Sequence, residues 1–156
     1  MDTDVLIKGD NITGVDITTG VYLGKVEIYE KVCHKIFDNV KQMTIFLPLN
    51  SEKKLRKLPS KELVLENMVI FKNKKLVDAQ EIEGSRYKYF KEKLSKTSFK
   101  SSIEVLHDLN VLVHLKDISV AERKLFVQLK EKMLHEIAFV LEISFKELDQ
   151  KYLKEI

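Results

Sequence analysis

Between residues 101 and 147 a serine is followed three residues later by a glutamate three times: Ser101–Glu104, Ser119–Glu122 and Ser144–Glu147. In that spacing the hydroxyl accepts from an early helical N–H while the carboxylate reaches back to the serine's own N–H. Each pair therefore marks a helix start, and together they commit the C-terminal half to helix. Helices are expected near 86–96, 102–112, 120–142 and 145–155. The third is apolar at 125, 126, 129, 133, 137, 140 and 141, a stripe wide enough for a core or a partner helix. Val111, Leu112 and Val113 are apolar on every side and fit either a buried helix end or a short strand.

The N-terminal half has a different rhythm. Short strands are expected at Asp4–Lys8, at Ile12–Ile17, through Val21, Leu23, Val26 and Ile28, and at 44–49. Between them Tyr29, Val32, Cys33, Ile36, Phe37, Val40 and Met43 recur at steps of three and four, which predicts one amphipathic helix. Residues 50–61 form a charged loop or helical turn. Two further strands at 62–71 and 76–82, joined by a turn at 72–75, make a hairpin, and Gly84-Ser85 marks a boundary. The fold class is α+β: a β-meander or hairpin sheet with one amphipathic helix, then a helical region of three to four helices. The expected domains are 1–84 and 85–156, the latter with a possible helical hairpin or helix-turn-helix-like end.

Composition narrows the class. With 156 residues, 44% apolar and 33% charged, the chain can build a proper core. No apolar run approaches the roughly 20 residues of a membrane-spanning helix. One cysteine excludes an internal disulfide framework, and the acidic start lacks a signal-peptide layout. A cytoplasmic protein without membrane association is expected.

Four of the five glycines, Gly9, Gly14, Gly20 and Gly24, crowd into sixteen residues. A phosphate loop needs a lysine and a helix N-terminus after the glycines. Neither follows, so turns between strands are expected. Asp16-Ile17-Thr18-Thr19-Gly20 nevertheless resembles a degenerate D-x-S-x-x-G segment of PilZ domains, and that resemblance implies a cyclic di-GMP receptor. Thr18 replaces the serine, Val21 stands where a glycine belongs, and no arginine precedes Arg56 to supply the paired arginines upstream.

Charge is unevenly spread. The net +3 hides −3 over residues 1–52, +8 over 53–100 and −2 over 101–156. A basic middle attracts polyanions. Within it Lys53, Lys54, Arg56, Lys57, Arg86, Lys88, Lys91, Lys93, Lys96 and Lys100 are the candidate nucleic-acid contacts. They are interleaved with Tyr87, Tyr89, Phe90 and Phe99, which either stack on unpaired bases or pack inward. At helical spacing Tyr87, Phe90 and Leu94 share a face, which favours packing.

Residues 134–156 outline a helix-turn-helix, in which Phe145, Lys146, Asp149 and Gln150 face the major groove. Glu142 sits where glycine is usual, and a left-handed non-glycine costs roughly 1 kcal/mol. The unbroken phase of Leu125, Leu129, Met133, Ile137 and Leu141 argues for one long helix.

Catalysis and metals find no pattern. Cys33 and His34 are neighbours pointing apart, and His107, His114 and His135 are scattered. No catalytic residue, metal site, cofactor or small-molecule ligand is expected. The reading is a small non-enzymatic regulatory protein that binds nucleic acid or another polyanion through the central basic segment. The alternative is a protein–protein adaptor, or a homo-oligomer, associating through helix 120–142. A PilZ-like receptor comes third.

Overall fold

The computed structural model describes residues 5–14, 16–50, 55–69, 82, 84–96, 98–148 and 150. It is α+β, and its backbone contacts separate Met1–Leu58 from Pro59–Ile156.

The first unit is a five-stranded antiparallel sheet: β1 (Asn11–Gly14), β2 (Gly20–Ile28), β3 (Lys31–Asp38), β4 (Met43–Pro48) and β5 (Leu55–Lys57). Its order is β4-β3-β2-β1-β5. Because side chains alternate across a strand, Ile12, Tyr22, Ile36 and Leu47 share one face and form its core with Ile17. Gly20 lies on the same face, where a Cβ would come within 2.9 Å of the Phe37 carbonyl oxygen. Gly24, at φ 97°, sits in a bulge where β2 carries one residue more than β3. The glycine cluster is thus explained by the sheet at both positions.

Three expectations need correction in this unit. Residues 29–43 are not a helix: Tyr29 and Glu30 turn the chain between β2 and β3, both left-handed at φ 51° and 64°. The apparent period of three and four arises because β3 places Cys33 on one face and Ile36 on the other, and the next turn adds Val40. Residues 5–8 are not a strand. Ile7 and Asp10 close a turn, with the Ile7 amide donating to the Asp10 carboxylate at 2.8 Å. The charged stretch before Pro59 contains β5, which pairs with β1.

The second unit holds α1 (Lys61–Met68), α2 (Arg86–Leu94), α3 (Phe99–His114), α4 (Val120–Leu141) and α5 (Phe145–Leu148). Every described helix starts on a serine. Ser60, Ser85, Ser98, Ser119 and Ser144 each accept from the amide three residues on, at 3.0–3.2 Å. At Ser119–Glu122 the full reciprocal box forms, with Glu122 accepting from the Ser119 amide at 2.9 Å. Ser101–Glu104 is corrected by one turn: Ser98 is the cap, and Ser101 is a buried residue within α3. Residues 62–68 form α1 rather than a strand, because Val64, Asn67 and Met68 fall on one helical face and are buried. Asn67 donates its side-chain amide to the Leu63 carbonyl at 2.8 Å. The rest of the expected hairpin, 72–75 and nearly all of 76–82, lies outside the described residues.

Val111–Val113 belong to α3. Helix 120–142 is one helix whose stripe, Leu125, Phe126, Leu129, Met133, Ile137 and Leu141, is buried against α1, α3 and α5. The stripe on which the expectation of self-association rests is thus occupied within the chain. Glu142 ends α4 in the left-handed conformation, φ 57° and ψ 42°. The Ile143 amide donates back to the Ala138 carbonyl, and α5 begins two residues later. Glu142–Ser144 thus form a short turn between α4 and α5, and residues 149 and 151–155 of the expected last helix lie outside the described residues. None of the helices in the described residues is long and apolar enough to cross a membrane.

Candidate nucleic-acid interface

Helix α2 carries four cations in nine residues, RYKYFKEKL, and buries only Phe90 completely. Phe90 pins the helix to the core beside Phe99, with Leu94 and Tyr89 packed more shallowly. Those contacts fix which side faces water. Lys88 and Lys91 are exposed on α2, Lys96 is exposed just beyond its end, and Lys100 is exposed in the first turn of α3. Tyr87 is 40% exposed, so the expectation that it packs with Phe90 and Leu94 is corrected. It stands among the lysines, whereas Phe90 and Phe99 are core residues.

Two of the basic residues of α2 are engaged internally among the described residues. Lys93 is half-buried and pairs with Glu104 at 3.3 Å. Arg86 makes four hydrogen bonds. Nε and Nη2 grip the two oxygens of Glu122 at 3.0 and 2.8 Å. Nη1 reaches the Asp117 carboxylate at 3.0 Å and Nη2 the Asp117 carbonyl at 3.2 Å. The hydrogen bond to Glu122 raises the Arg86 pKa further, against the opposing effect of burial. For Glu122 burial alone would raise the pKa. The hydrogen bonds from Arg86 and from the backbone and side chain of Ser119 outweigh it and hold the carboxyl below its usual range.

Arg56 and Lys57 lie on β5 of the sheet unit. Arg56 donates to the Lys57 carbonyl at 3.4 Å, and Lys57 stands 3.8 Å from Asp10. Lys53 and Lys54 fall outside the described residues. Sequence reasoning missed the partners of Arg86. Glu122 was visible as a capping-box residue, but nothing local links it to an arginine 36 positions away.

The segment likened to PilZ, 16–20, is built into the sheet. Ile17, Thr19 and Gly20 are buried, the Thr13 hydroxyl donates to the Ile17 carbonyl at 2.9 Å, and the Asn39 amide donates to the Thr19 carbonyl at 3.0 Å. Among the described residues no group of three or more His, Cys, Asp or Glu side chains is placed to hold a metal.

The second unit is thus a serine-capped helical domain with a lysine-bearing helix on its surface. Residues 66–152 match the family described as CarD, C-terminal domain, which covers more than half of the chain, and the protein belongs to that family. The family is regulatory and associated with transcription, and it is not catalytic. No curated protein matches the chain.

Proposed function

We propose that the protein regulates transcription by binding nucleic acid through Lys88, Lys91, Lys96 and Lys100, with Tyr87 as an exposed aromatic among them. The observation that carries this reading is that all four lysines are exposed within one packed unit, inside the family-matched residues. Domains of the CarD type interact with RNA polymerase and DNA, which supports a nucleic-acid target. Lysines act on phosphates as point charges, so binding should be set by ionic strength more than by base sequence. Lys53, Lys54, Arg56 and Lys57 are proposed as additional contacts from the preceding segment. The test is fluorescence anisotropy with a generic DNA duplex across a salt series. Each lysine that contacts a phosphate should lower the log–log slope by about 0.9 when replaced by alanine. No binding at low salt would rule the reading out.

A protein partner is favoured by a separate observation in the sheet unit. The face opposite its core carries Val21, Val26, Phe37 and Phe46, with Phe46 exposed on edge strand β4. Apolar patches of this kind mark interaction surfaces. Co-elution with purified RNA polymerase, lost in Phe46→Lys, is the expected result, and equal co-elution by the variant would dismiss that surface.

A further inference from the structure

We propose that Arg86 is a positioning residue rather than a phosphate contact: by gripping Glu122 and Asp117 it fixes the first turn of α2, and with it Lys88 and Lys91. This rests on the nucleic-acid reading above and specifies how that surface is held.

The geometry points away from a contact role. All four hydrogen bonds from the guanidinium end on acceptors of the chain's own loop and helix, and its side chain is only 21% exposed. Turning it outward would strand Glu122, whose side chain is 3% exposed, without its cation. The neighbouring Asp117 and Glu122 carboxylates also oppose an approaching phosphate. The geometry does suit an anchor. Arg86 is the first residue of α2, two positions before Lys88 and five before Lys91. Its planar fork spans two acceptor groups at once, the α3–α4 connection at Asp117 and the capping box at Glu122. A lysine ammonium cannot reproduce that bridge. At the other end of α2, Phe90 and the Lys93–Glu104 pair hold the helix. Without Arg86 the first turn keeps, among the described residues, the Ser85 cap and the shallow packing of Tyr89.

The test uses the full chain, duplex DNA in a salt series and amide hydrogen exchange. Arg86→Lys keeps the charge and removes the fork. Anchoring predicts an affinity loss of roughly fivefold or more, with faster exchange at Tyr87–Lys91 and unchanged protection in α3 and α4. Wild-type affinity in this variant would overturn the inference. Glu122→Gln keeps the capping box, since glutamine also serves there, but removes the negative charge. Anchoring predicts weaker DNA binding, whereas a contact role for Arg86 predicts stronger binding because an acid has left the surface. Stronger binding would overturn the inference even if Arg86→Lys fails to fold. Absence of wild-type binding sinks the nucleic-acid reading instead. Lysine variants that weaken binding while both anchor variants leave it unchanged sink the positioning inference alone.

Discussion

The Glu122 carboxylate accepts hydrogen bonds from the Ser119 amide and from two nitrogens of Arg86, while almost sealed from water. Its folded-state pKa lies below the ordinary carboxylate value of 4.5, because the hydrogen bonds from Arg86 and Ser119 outweigh the burial that would raise it. The unfolded chain therefore takes up a proton first as pH falls. The stabilisation is complete above about pH 4.5 and is lost as pH drops through the lower folded-state value. Acid titration followed by circular dichroism should show this loss in the wild type and a flatter profile in Glu122→Gln. Glu122→Ala removes one of the two carboxylates on Arg86 and the carboxylate half of the capping box, leaving Arg86 with Asp117, and should cost about 1.5–3 kcal/mol in denaturant unfolding. Half of this arrangement was legible. The Ser119–Glu122 spacing announced the cap, but Arg86 lies on a different helix and read as one cation in a basic run. Sequence periodicity carries local geometry, whereas an ion pair across 36 residues exists only after the helices pack.

At the scale of elements, helix starts were readable because serine capping is local chemistry, and strands at 20–28 and 43–48 were readable from their β-branched and aromatic content. The β2–β3 hairpin was not, and its turn shows why. Two-residue hairpin turns with both residues left-handed favour Asn-Gly, yet this one uses Tyr29 and Glu30. Without the turn signal, the apolar residues of β3 imitated a helical face. The same fact yields a prediction. Tyr29 is 95% exposed and loses little contact when replaced. Substituting Asn at 29 and Gly at 30 should relieve two strained residues and stabilise the sheet unit by about 1–2 kcal/mol, read as a raised thermal midpoint. An unchanged midpoint would show that the turn carries no strain. The same hairpin holds His34, whose Nδ1 lies 2.7 Å from the Tyr22 hydroxyl. Burial, then the charge of Lys25, lowers its pKa below 6.5, so the folded sheet favours neutral imidazole. As pH falls below 6.5 the unfolded chain protonates first, and stability present above that pH is lost. Replacing His34 with glutamine should remove this dependence, measured as denaturation midpoints between about pH 7 and pH 5.

On the scale of the molecule, the chain joins a β-sheet unit ending at Leu58 to a helical unit starting at Pro59, and the family match begins inside α1. The basic segment that dominated the sequence reading crosses this boundary. Arg56 and Lys57 belong to β5, while Lys88, Lys91, Lys96 and Lys100 belong to the helical unit. Charge counting along the chain could not see that division, because it weighs neighbours in sequence and not in packing. The helical unit has its own core from Val64 to Leu148, serine caps on each described helix and the Arg86 anchor entirely within it. A fragment of residues 59–156 should therefore fold alone, with a helical circular dichroism spectrum and cooperative unfolding. If its four exposed lysines each neutralise one phosphate, its binding to duplex DNA should show a log–log salt slope of about −3.6. Comparison with the full chain then decides the role of residues 53–57. A steeper slope in the full chain, restored to the fragment's value by replacing Lys53, Lys54, Arg56 and Lys57, would place those residues on the phosphates. Equal slopes would confine the interface to α2 and the first turn of α3.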